Sequence, residues 1–163
     1  MPDVSADDFK GALGSWAAGV TVVTTRHEDL VYGLTVSSFS SLSLEPRLIL
    51  VCFANSNRIV DMVRESKRFA VSILSEEQSD IATWFSKSGR EPVEAFEDFT
   101  TIEWHTGSPI IAGAVAHLDC ELDSLVRAGD HTIGIGSVVG ASYDSSLLPL
   151  MYYRRGYRKL VMD

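Results

Sequence analysis

Six hydroxyls crowd the stretch Gly33-Leu34-Thr35-Val36-Ser37-Ser38-Phe39-Ser40-Ser41-Leu42-Ser43, where a core strand would carry Val or Ile. Small side chains let a flat ligand approach the backbone, and hydroxyls with backbone N–H groups can hydrogen-bond its polar edge. A solvated edge strand with its serines turned outward would have the same composition. A second chemical element follows Arg47–Ala54, where Asn55-Ser56-Asn57-Arg58 leads straight into an amphipathic helix. Strand, polar turn and helix start together expose backbone N–H groups, with Arg58 nearby for charge, which suits a phosphate. Simple capping by Asn55 or Ser56 would use the same residues. The third element is the hairpin-like Gly129-Asp130-His131-Thr132. His131 there could donate a proton, orient a ligand or be an ordinary turn histidine.

Other chemistries lack their residues. His27, His105 and His117 have no ligand spacing with His131 or with each other, and Cys52 and Cys120 stand alone, so no metal site is indicated. Both cysteines lie in apolar, strand-like runs, which reads as two reduced, buried thiols of a cytoplasmic protein. There is no G-x-S-x-G elbow and no Walker loop. Gly129, Gly134 and Gly136 do not follow a strand and open a helix, so they are no dinucleotide fingerprint. Glu76, Glu77, Glu94, Glu97 and Asp98 fall on helix starts or loops and read as solvated. Tyr152, Tyr153 and Tyr157 could cover a planar ligand or pack a core.

The elements that must position these groups are mostly strands. At 163 residues and 45% apolar content, the chain reads as one domain over 1–163 with a real core. A net charge of −8 argues against a nucleic-acid surface but not against a locally held phosphate. No apolar run reaches membrane-spanning length, and the acidic N-terminus lacks the pattern of a secretory signal. Three helices are expected: one capped by Ser5 with Phe9, Leu13 and Trp16, one with Ile59, Met62 and Val63, and one opening on a Ser75/Gln78 capping box with Ile81, Trp84 and Phe85. Strands are expected over Gly19–Arg26, Tyr32–Leu44, Arg47–Ala54, Phe69–Leu74, Ala114–Arg127, His131–Ser142, Met151–Tyr153 and Tyr157–Val161, with turns at Ala128-Gly129-Asp130 and Arg154-Arg155-Gly156. Ser86–Ser108 reads as a long surface excursion. Many strands without regular strand–helix alternation point to a mainly β, closed or nearly closed antiparallel barrel with a few short peripheral helices.

Taken in order, these pieces resemble the flavin reductase family, the small reductase components of two-component flavin-dependent monooxygenases. The resemblance runs from Phe9 to Leu160, through Phe9-Lys10-Gly11-Ala12-Leu13-Gly14, Ala18–Thr25, Gly33–Pro46, Phe69–Leu74, Trp84-Phe85-Ser86, Gly129–Thr132 with Gly136, and the terminal tyrosines. It implies a homodimeric split β-barrel of Greek-key type that reduces free FMN or FAD by hydride transfer from NADH or NADPH and supplies a partner monooxygenase. Thr35, Val36, Ser37, Ser38, Ser40 and Ser41 would then line the isoalloxazine and ribityl chain. Cys52, Ala54, Asn55, Ser56 and Asn57 would follow the ribityl and phosphate, and Phe85 and Ser86 would touch the flavin. His131 would sit beside the nicotinamide, with Tyr157 as a further contact. The sequence departs from the family at Ser86, where relatives often carry Ala, at Gly156, which immediately precedes Tyr157 instead of standing two residues before it, and in the phosphate turn, where Lys is common in relatives and only Arg58 and Lys67 are at hand. A flavin-storage module, or a barrel oxidase holding FMN tightly in the manner of pyridoxamine-phosphate oxidase, are the alternatives. The first would have no use for Gly129–Thr132.

Overall fold

The computed structural model describes residues 3–162. In chain order the elements are α1 (Ala6–Gly14), β1 (Ala18–Gly19), β2 (Thr21–His27), β3 (Leu30–Val36), β4 (Phe39–Ser43), β5 (Leu48–Ala54), α2 (Ile59–Ser66), β6 (Arg68–Ile73) and α3 (Ser79–Phe85). They continue with β7 (Thr101–Glu103), β8 (Pro109–Ile111), β9 (Ala116–Ala128), β10 (His131–Tyr143), β11 (Leu150–Tyr153) and β12 (Gly156–Lys159).

Seven strands form one antiparallel sheet in the order β3-β2-β6-β9-β10-β5-β4. Its two edge strands, β3 and β4, are consecutive in the chain, with only Ser37 and Ser38 between them. A flat sheet of that width would hold its edges roughly 29 Å apart. The Cα path from Val36 to Phe39 reaches no more than about 11 Å. The sheet must therefore curl until its edges meet at that end, which makes the expected split barrel. β5 pins the joint, its Cys52 N–H donating to Ser38 O at 3.1 Å. A second sheet, β1-β11-β12, lies beside the joint, and β7 pairs with β8.

Alternation governs β5, which buries Ile49, Val51 and Phe53 and turns Leu48, Leu50, Cys52 and Ala54 the other way. β2 is buried on both faces from Thr21 to Thr25. Its threonines tolerate this because each hydroxyl donates to a carbonyl: Thr21 to Val36, Thr24 to Pro109 and Thr25 to Arg68. One apolar cluster joins α2 to the barrel interior through Ile59, Val60, Val63, Phe53 and Phe69. The other packs α3 on the outside through Ala82 and Phe85 against Val22, Val31 and Phe96.

Several elements differ from their sequence pattern. Tyr32–Leu44 is two strands, broken at Ser37-Ser38 where the barrel closes. Gly19–Arg26 is broken at Val20, whose N–H donates to Leu150 O while its carbonyl accepts from Leu74 N, so β1 joins the small sheet and β2 the large one. α3 begins at Ser79: Gln78 Oε1 accepts from Ser75 N at 3.0 Å, but Ser75 itself is buried in a bridge to Pro149. α2 is capped by neither Asn55 nor Ser56; Asn57 Oδ1 accepts from Ile59 N at 3.1 Å. Ser5 does cap α1, but the helix stops at Gly14 and leaves Trp16 beyond its end. Ser86–Ser108 is a packed element, bridged to β3 at Val31–Val93 and burying Phe96. No helix among the described residues is long and apolar enough to cross a membrane.

Candidate functional site

The joint between β3 and β4 holds the polar groups left over from barrel formation. Ser37 and Ser38 are exposed, and their N–H groups and the Ser37 hydroxyl meet no protein partner among the described residues, so they are open to water or a ligand. The other hydroxyls of the stretch are partly engaged. Thr35 donates to Ala82 O at 2.6 Å, fastening β3 to α3, Ser38 donates to Cys52 O at 3.1 Å, and Ser40 to Ser41 O at 3.0 Å. Val36 points into the core and is buried, so it can offer a ligand only its backbone.

Two clefts flank the joint and share Ser37 and Tyr152 in their walls. The first, about 350 Å³, is lined by Val20, Leu34, Thr35, Ser37, Asn57, Phe85, Ser86, Lys87, Ser88, Tyr152 and Tyr157. Its wall is backed by an aromatic lattice in which Phe85 meets Phe96 edge-on at 5.1 Å and Trp84 at 4.7 Å. Gly33 admits this packing, since a Cβ there would stand 2.9 Å from Phe85 Cε1. Arg90, from the segment after α3, locks the lattice by donating to Gly33 O at 2.6 Å and Phe85 O at 2.9 Å, with its guanidinium 4.5 Å from the Trp84 ring. Burial lowers the Arg90 pKa, an effect that Tyr32 opposes. Tyr152 and Tyr157, paired across β11 and β12, meet edge-on at 5.8 Å.

The second cleft, about 520 Å³, is lined by Leu13, Gly14, Trp16, Ala18, Ser37, Ser38, Phe39, Ser40, Leu50, Cys52, Tyr152, Arg154 and Arg155. Cys52 is half-buried on this cleft and not sunk in the core, because its position on β5 alternates outward. Cys120 does lie in the core, where burial first and the neighbouring Asp119 second push its thiol up to about 12. Among the described residues no carboxylate lines either cleft.

The structure thus brings Thr35, Ser37, Asn57, Phe85, Ser86 and Tyr157 to the first cleft and Ser37, Ser38, Ser40 and Cys52 to the second. Val36, Ser41, Ala54, Asn55, Ser56 and His131 line neither. Asn55 instead stitches the polar turn to the β9–β10 hairpin: its N–H donates to Asp130 O at 2.9 Å, its amide to Gly129 O at 3.1 Å, and its Oδ1 accepts from Thr132 at 2.6 Å. His131, opposite Ala54 in the β10–β5 ladder, is exposed and bonds Asp130 Oδ1 through Nδ1 at 2.8 Å. That hydrogen bond, then the histidine's charge, lowers the Asp130 pKa. Lys67 sits at the far end of α2 from the polar turn, and Arg58 pairs with Glu91 at 2.9 Å. Among the described residues, Lys87, directly after Phe85-Ser86, and Arg154 and Arg155, which the sequence pattern marks only as a turn, line the clefts without an acidic partner. Among the described residues no cluster of His, Cys, Asp or Glu could hold a metal ion.

Fold and clefts together define a split-barrel protein with two clefts beside the joint at which its large sheet closes. The chain belongs to the flavin reductase like domain family, which matches residues 13–161. It is 35% identical over 162 residues to a Rhodococcus NADH-dependent flavin reductase, covering 98% of this chain and 89% of that protein. It is 37% identical over 154 residues to HsaB, the reductase subunit of a flavin-dependent monooxygenase of Mycobacterium tuberculosis, covering 91% of this chain and 79% of the relative. The solved NADH:FAD oxidoreductase SgcE6 of Streptomyces globisporus superposes with a TM-score of 0.91 at 30% identity, covering 99% of each chain.

Proposed function

We propose that this chain reduces a flavin with a nicotinamide dinucleotide and passes the reduced flavin to a monooxygenase component, with the flavin lying across the Ser37-Ser38 joint. The observation that carries the site is the pair of unanswered N–H groups at that joint, set between two clefts that share a wall. A flavin fits this donor set, because its polar ring edge needs donors and its ring faces need the apolar and aromatic surfaces that Leu34, Phe85, Tyr152 and Tyr157 provide. When bound, the flavin accepts a hydride from the nicotinamide, chemistry that belongs to the two cofactors themselves.

The chain's own contribution is placement. Ser37 and Ser38 hold the ring edge, and the tyrosines and Phe85 exclude water from its faces. Asn57 and Lys87, both lining the first cleft, would hold a phosphate of the flavin's side chain. Among the described residues no carboxylate lines either cleft, and hydride transfer between the two cofactors asks for no strong acid or base there. His131 is the one group we assign beyond the clefts: the Asn55 stitching holds its hairpin beside the polar turn, and its Nε2 is free to orient an incoming nicotinamide. We also read the chain as a homodimer. α1 buries none of its residues, and Phe9, Leu13 and, just past the helix end, Trp16 are 57%, 59% and 77% exposed, an apolar surface suited to a second copy.

Anaerobic mixing of the protein with NADH or NADPH and FMN or FAD tests the activity. Loss of the flavin's visible absorbance is expected, and no bleaching with any pair would overturn the reading.

A further inference from the structure

β11 and β12 are joined by only two residues, Arg154 and Arg155, between the paired Tyr153 and Gly156. Both adopt left-handed backbone, at φ 48° and 60°. Such a turn matches strand twist, but its central positions ordinarily belong to Asn, Asp or Gly, since a Cβ is crowded there. Gly156 lies one residue too late to relieve either position.

Strained positions persist where their side chains serve something, and these two face the second cleft. Neither guanidinium has a carboxylate partner among the described residues, although acidic residues outnumber Lys and Arg by 22 to 14 in this chain. Arg154 is steadied over the Tyr153 ring at 5.2 Å, and its N–H donates to Gly14 O at 3.1 Å, which fixes the turn against the end of α1. Two unpaired cations thus stand at the rim of a cleft that is otherwise apolar, hydroxyl-lined and free of carboxylates.

We propose that the Arg154-Arg155 turn is a phosphoryl-binding determinant of the second cleft, holding the diphosphate of a dinucleotide that reaches past Tyr152. It rests on the reading that flavin and nicotinamide use these two clefts. The diphosphate is that of FAD or that of the nicotinamide dinucleotide; guanidinium chemistry is the same for both.

The test compares Arg155→Gly and the double variant Arg154→Asn/Arg155→Gly with the wild type. Dissociation constants for riboflavin, FMN, FAD and NADH are measured by fluorescence quenching and calorimetry at low and high salt. Asn and Gly suit left-handed backbone, so thermal stability should hold or rise. The double variant should lose about tenfold in affinity for FAD or for NADH. Riboflavin affinity should stay unchanged, and the salt dependence of the affected ligand should shrink. Loss confined to FAD assigns the turn to the flavin's diphosphate, and loss confined to NADH assigns it to the nicotinamide dinucleotide. Equal affinities for all four ligands in variant and wild type, or a loss that includes riboflavin, overturns the inference. A wild type that binds none of the flavins overturns the functional reading itself.

Discussion

The two clefts share Ser37 and Tyr152 but are built on opposite terms. Behind the first stands an aromatic lattice, Phe85 and Phe96 buried and Trp84 half-buried, held by Arg90 and admitted by the bare Cα of Gly33. Behind the second stands α1, with no buried residue, and a turn of two arginines in left-handed backbone. One wall belongs to the fold, and stability keeps its shape. The other carries little of the fold's weight, so its residues are free to answer to a ligand or a second copy.

Substitutions can break this contrast, starting with the fold-bearing wall. Arg90→Ala strips Gly33 O and Phe85 O of their donor and the rings of their cation. A loss of about 3 kcal/mol is expected, about 9 °C in thermal midpoint. A scanning calorimetry shift under 2 °C, roughly half a kcal/mol, would deny that Arg90 locks the lattice. Gly33→Ala sets a methyl against Phe85 and should cost about 1–2 kcal/mol. It should also weaken flavin binding, because the displaced ring lines the first cleft.

The cysteines sharpen the same contrast. Cys52, on the second cleft, should react with a thiol reagent in the native protein and be shielded by bound flavin, while Cys120 should react only after unfolding. Cys120 also sets a pH dependence. Its thiol is raised in the folded state from an ordinary 9.0 to about 12, so the unfolded chain gives up its proton first. The stability this contributes is complete below about pH 9 and is lost as pH rises towards 12. Chemical denaturation at pH 8 and pH 10.5 should show the fall, and Cys120→Ala should flatten it.

Smaller effects belong to the exposed groups. His131→Ala should raise the NADH Michaelis constant several-fold with little change in thermal midpoint, whereas unchanged steady-state kinetics would remove its orienting role. Trp16→Ser should alter the stability of a monomer by less than about 0.5 kcal/mol. It should nonetheless shift the mass found by sedimentation if α1 faces a second copy, and identical sedimentation of variant and wild type as monomers would end the dimer reading.

Much of this was legible in the sequence because period and composition are local. The β-branched run in β2, the turn before His131 and the apolar face of α2 announce themselves within a few residues. The hydroxyl-rich stretch stands out by composition, but composition alone reads as one strand where the chain forms two. Nothing local says that Ser37 and Ser38 join the two edges of one sheet, since that follows from how strands distant in sequence pair. Arg90 was invisible for a related reason: its partners are carbonyls of β3 and α3, and a carbonyl leaves no mark on residue type. Lys67 looked near the polar turn by residue count, yet the length of α2 carries it away. The Arg154-Arg155 turn was noted for a displaced glycine, and only its pairing register shows which residues bear the left-handed backbone.

The place where the barrel shuts is also where this chain would hold its ligand. A flavin across Ser37-Ser38 would act as a clasp on the seam, tying the β3 edge to the β4 edge with bonds the polypeptide does not make for itself.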